Sequence, residues 1–171
     1  MNPLIQLKNA TPVFLIALTC FGLLPMAPAV NPPPDGGYPN GNTAEGDNAL
    51  FSLTTGFDNT AIGAQVLLRN TTGDRNTAIG FQALFSNTAG NNTLGGNTAI
   101  GFRALYHHVG VVNANTAIGD SALFSNTTGG ANTATGTRAL TSNTTGFNNT
   151  ANGIAALLFN TTGQLQHSHR C

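Results

Sequence analysis

The chain has 171 residues, six basic and six acidic, no formal net charge, and only 7% charged residues, against about a quarter in an ordinary soluble domain. Asn (22), Thr (24) and Gly (21) together fill 67 positions. This excludes a nucleic-acid binder, which needs a basic excess, and a charge-expanded disordered chain; two cysteines exclude a disulfide scaffold, and acid–base catalysis has few candidate groups.

Residues 1–29 read as a secretory signal peptide. Lys8 gives the positive start, residues 13–24 run Val-Phe-Leu-Ile-Ala-Leu-Thr-Cys-Phe-Gly-Leu-Leu, and Ala27 and Ala29 stand where a signal peptidase reads small side chains. The apolar run is shorter than the ~20 residues of a membrane helix. Cleavage after Ala29 is therefore expected to leave a mature chain with no membrane span, secreted or held at the cell surface. Cys20 follows Ala17-Leu18-Thr19, a poor lipobox. Residues 30–41, with Pro32-Pro33-Pro34 and Gly36-Gly37, read as a Pro/Gly-rich linker.

Residues 42–165 are one unit repeated seven times. Asn-Thr-Ala begins at Asn42, Asn59, Asn76, Asn97, Asn115, Asn132 and Asn149, mostly 17 residues apart. The consensus is N-T-A-I-G-x-x-A-L-F-S-N-T-T-G-x-N. The third unit holds four extra residues around Asn91 to Leu94, and the fourth one extra, with His107 and His108 where other copies carry Ser-Asn. Seventeen residues are too few for paired helices, and β-branched Thr with recurrent Gly disfavours helix. The expected fold is all-β: a solenoid or parallel β-roll with two short strands per coil, Thr-Ala-Ile and Ala-Leu-Phe-Ser. Each strand stacks on its copy in the next coil, over about 34 Å at ~4.8 Å per strand.

Numbering the unit from its Asn, position 3 is always Ala and position 9 always Leu. Strand alternation turns both inward and turns positions 4 and 10 outward. Those outward columns, Ile62, Ile79, Ile100 and Ile118 with Leu68, Phe85, Tyr106 and Phe124, form an apolar stripe of the kind that self-association hides. Asn and Thr are expected to form hydrogen-bonded ladders between coils and to present polar faces outward.

The Asn-Thr-Ala-Ile-Gly core followed by Ala-Leu resembles the head repeats of YadA-like trimeric autotransporter adhesins. It also resembles repeat arms of bacterial and phage tail-fibre-like proteins, which often end in an endosialidase-type chaperone domain. The resemblance implies a left-handed β-roll, a homotrimer, and a role as surface stalk or adhesive head with a possible surface-glycan or matrix ligand. The unit is longer than the adhesin unit. Residues 166–171, His-Ser-His-Arg-Cys after Gln166, break the repeat and read as an irregular tail, as in a truncated arm.

No catalytic, cofactor-binding or metal site is expected. His167, His169 and Cys171 lie close in sequence but lack a fourth ligand. His107 and His108 read as surface substitutions. Asp47, Asp58, Asp74 and Asp120 occupy scattered unit positions, which does not suit a calcium-binding roll. The Ser52, Ser86, Ser125 and Ser142 column has no recurrent base beside it. N-glycosylation sequons begin at Asn70, Asn91, Asn126, Asn143, Asn148 and Asn160 and read as turns. The function expected is non-enzymatic contact, structural or adhesive. A regular Thr column at position 13, from Thr54 to Thr161, keeps ice or carbohydrate binding as an alternative.

Overall fold

The computed structural model describes residues 38–88, 95–111 and 114–170. The signal segment, most of the linker and Cys171 lie outside the described residues. The fold is an all-β parallel solenoid of about seven turns. Each repeat supplies one three-residue strand: β1 (Thr43–Glu45), β2 (Thr60–Ile62), β3 (Thr77–Ile79), β4 (Thr98–Ile100), β5 (Thr116–Ile118), β6 (Thr133–Thr135) and β7 (Thr150–Asn152). An eighth strand, β8 (His167–His169), pairs with β7 in the same register, His167 beside Thr150. The sequence repeat ends at Leu165, but the coil continues one strand further.

The strands form a single parallel sheet in chain order. Ala stacks on Ala from Ala44 to Ala151. The irregular units do not disturb this register: Ala78 pairs with Ala99, and Ala99 with Ala117. Insertions in a solenoid are accommodated in loops because the inter-coil bonds reform on either side.

The second expected strand is absent. Position 9 is left-handed in every coil, with Leu50, Leu67, Leu84, Leu105, Leu123, Leu140 and Leu157 at φ between 49° and 52°. Position 7 is left-handed as well, as at Gln65, Gln82, Arg103 and Arg138. A strand cannot hold such residues, so Ala-Leu-Phe-Ser is a turn ribbon. Its amides still bond along the rod, Leu67 N to Ala83 O at 3.1 Å and Leu123 N to Ala139 O at 3.0 Å.

A left-handed leucine costs about 1–2 kcal/mol. Full burial of its side chain returns about 1.5–3 kcal/mol. The central leucines, Leu67 to Leu140, are all 0% exposed.

The turn also changes which side chains reach the core. Positions 3 and 9 point inward as expected, but so does position 8, as Ala49, Val66, Ala83, Ala104, Ala122, Ala139 and Ala156. Positions 8 and 9 share one side because the left-handed backbone at positions 7 and 9 removes the two-residue alternation. Gly at position 5 is required by geometry: its φ lies between 114° and 133°. A Cβ at Gly119 would meet the Gly136 carbonyl at 2.6 Å.

Candidate functional site

The polar side chains of the repeat are largely spent inside the rod. Asn at position 1 is buried in all seven coils. Asn115 shows the pattern. Its Nδ2 donates to Asn97 Oδ1 at 3.2 Å and to Gly129 O at 3.0 Å. Its Oδ1 accepts from Asn132 N at 3.1 Å and Asn132 Nδ2 at 3.2 Å.

Position 12 holds a second buried ladder, with Asn87 donating to Asn70, Asn143 to Asn126, and Asn160 to Asn143. Both ladders donate to the Gly carbonyl at position 15, as Asn59 and Asn70 do to Gly73 O. The expected inter-coil ladders therefore exist, but the asparagines face inward and not toward solvent. An amide is buried cheaply only when its donors and acceptors are matched, and stacking identical coils matches them.

This placement decides several sequence expectations. The sequon asparagines Asn70, Asn126 and Asn143 are 0% exposed and cannot carry a glycan in the folded chain; Asn148 is exposed, and Asn91 lies outside the described residues. His108 is buried in the position-12 ladder, its Nδ1 3.2 Å from Asn126 Nδ2, so it is not a surface substitution. His107 is exposed and meets the rings of Tyr106 and Phe124 edge-on. His167 and His169 are exposed on β8. Among the described residues, no three His, Cys, Asp or Glu side chains gather as a metal site. Nor is any helix there long and apolar enough to cross a membrane. At the start of the rod, desolvation and the charge of Glu45 raise the Tyr38 phenol pKa above its usual value.

The threonine columns differ from one another. At position 13 the hydroxyls of Thr54, Thr127 and Thr144 donate to the carbonyl of the next coil at 2.8 to 3.1 Å, which removes their donors from the surface. At position 2, Thr43, Thr60, Thr77, Thr98, Thr116, Thr133 and Thr150 stand in strict register on the outer side of the sheet. They alternate with buried Ala and flank the position-4 isoleucines, of which Ile62 is 41% and Ile118 37% exposed.

A second surface is lined by aromatic rings. At position 10, Phe85, Tyr106 and Phe124 stack along the rod at 4.9 and 5.4 Å. At position 6, Phe81 and Phe102 stack at 5.6 Å. Arg103, at position 7, lies between the two columns, 5.1 Å from the Phe102 ring and 5.6 Å from that of Tyr106. Its Nε donates to Gln82 Oε1 at 2.9 Å, and Gln82 donates to Gln65 at 2.7 Å. The position-10 rings thus face position 6 across position 7.

One coil on, position 7 shrinks to Ser121. A hollow of about 250 Å³ opens there, lined by Phe102, Arg103, Ser121, Phe124, Arg138 and Thr141. Sequence reading missed this hollow because positions 6 and 7 are the variable x-x of the unit, where no constant residue signals a role. The available signal was the size change along one column, Gln65, Gln82, Arg103, Ser121, Arg138. No known family, curated protein or solved structure matches the chain.

Proposed function

We propose that the chain is a secreted or cell-surface rod, structural or adhesive, that acts by contact and not by catalysis. The observation that carries this reading is the division of polar groups. The recurrent amides are consumed by the coil stack, while regular columns of Thr, Ile and aromatic side chains remain at the surface. Such a surface offers area and repetition and no reactive group. The likeness of the Asn-Thr-Ala-Ile-Gly unit to trimeric adhesin heads and tail-fibre arms supports the same use.

In this reading three copies pack through the sheet face at positions 2 and 4, which leaves the aromatic surface uncovered. Light scattering on the mature chain tests it: a trimer that Ile62→Asp with Ile118→Asp dissociates, without loss of fold, is the expected result. A monomer that retains no attachment to cells or matrix removes the reading.

A second reading has its own observation. The position-2 threonines stand in register at the ~4.8 Å spacing of strands, and their hydroxyls make no hydrogen bond to described residues. Paired with isoleucines, they form a regular half-apolar array suited to ordering water, as in ice binding. A monomer with thermal hysteresis favours this use, and a trimer without it favours the first.

A further inference from the structure

We infer that the hollow over Ser121 is a binding subsite for an acidic sugar, a carboxylate-bearing pyranose within a polysaccharide. The inference rests on the contact reading above and names its ligand class.

The hollow exists because a serine stands in the position-7 column between two arginines. Arg103 is held in place before any ligand arrives. Its Nε is bonded to Gln82 and its guanidinium lies against two rings, so little side-chain entropy remains to be lost on binding. Arg138 lines the hollow from the coil after Ser121, two coils beyond Arg103. No lining residue is acidic; Asp120 lies beside the hollow, and its Oδ1 accepts the Ser121 hydroxyl at 2.7 Å. A planar guanidinium presents paired donors that match a carboxylate.

The walls specify the rest of the ligand. The position-6 stack ends at Phe102, because the next coil carries Asp120, and the position-10 stack ends at Phe124, because the next coil carries Thr141. Each column therefore ends in a ring with no aromatic ring beyond it, and both end rings line the hollow. Such ring faces suit the apolar C–H side of a sugar, while Ser121 and Thr141 supply polar edges. The volume lies just under the ~300 Å³ lower end of ordinary ligand pockets, which fits about one ring.

The test uses oligogalacturonate and its methyl ester, which has the same sugars without the charge, titrated into the mature protein by calorimetry. Ser121→Gln fills the hollow with a residue that two other coils already hold at position 7 with φ near the 54° of Ser121. Arg138→Gln removes one charge in the same way. Each is expected to weaken oligogalacturonate binding at least tenfold, the methyl ester to bind at least tenfold more weakly than the acid, and Arg69→Gln to change nothing.

Equal binding of acid and ester, or binding that survives Ser121→Gln, overturns the subsite. Equal binding of poly-glutamate overturns the sugar assignment in favour of an acidic peptide. Absence of binding up to millimolar concentration overturns the inference too; if cell or matrix attachment then persists, the contact reading survives without it.

Discussion

Asn115→Ala tests whether the buried amide ladder holds the rod together. The substitution removes four hydrogen bonds, but their partners fare differently. Asn97 Oδ1 keeps the Asn115 backbone N–H at 3.1 Å, Gly129 O keeps Asn126 Nδ2 at 2.8 Å, and Asn132 Nδ2 keeps Gly146 O at 2.8 Å. Only the Asn132 backbone N–H, fully buried, is left without its acceptor. An orphaned buried donor costs about 1–3 kcal/mol, and each of the three other bonds about 0.5–1.5 kcal/mol. The total is about 2.5–7.5 kcal/mol, against roughly 5–15 kcal/mol for the stability of a whole domain.

The defect lies in the fifth coil, inside the stack. Solenoid stability is a sum of coil and interface terms, so the two halves should also begin to unfold separately. Urea denaturation followed by far-ultraviolet circular dichroism should show a lower midpoint and a shallower slope. Asn115→Asp keeps the shape and removes both donations, so it separates lost bonding from a cavity; it should cost at least as much. Thr116→Ala, next to it but without a side-chain hydrogen bond, should stay within about 0.5 kcal/mol of the parent. A cost below about 1 kcal/mol for Asn115→Ala refutes the ladder as a source of stability.

Gly119→Ala should destabilise by about 2–5 kcal/mol, combining a positive φ with a clash against the Gly136 carbonyl; an unchanged melting temperature would contradict the close coil approach. Leu123→Ala should cost about 2–5 kcal/mol by emptying the core, measurable by the same denaturation. His108→Asn should raise the melting temperature by about 2–8 °C, because an amide there can donate to Asn87 Oδ1, buried without a partner; a fall would mean that the imidazole packing is worth more than the restored ladder. N-terminal sequencing of protein recovered from culture medium should begin at Val30, and a start at Met1 would remove the export signal.

The sequence by itself determined the period, the parallel stacking of Thr-Ala-Ile and the inward Ala and Leu columns. A repeat of identical units has one register that superposes every Ala on Ala, and that register is visible as spacing. It could not show that Ala-Leu-Phe-Ser is a turn ribbon. Leucine has no local preference for positive φ, and only burial and bonds to the coil 17 residues away hold it there. Asparagine likewise looks like a surface residue in the sequence, because the donors and acceptors that let it go inside arrive from neighbouring coils. The hollow over Ser121 was decided in the same way: its walls come from three successive coils, and only the stack sets a small residue between two large ones.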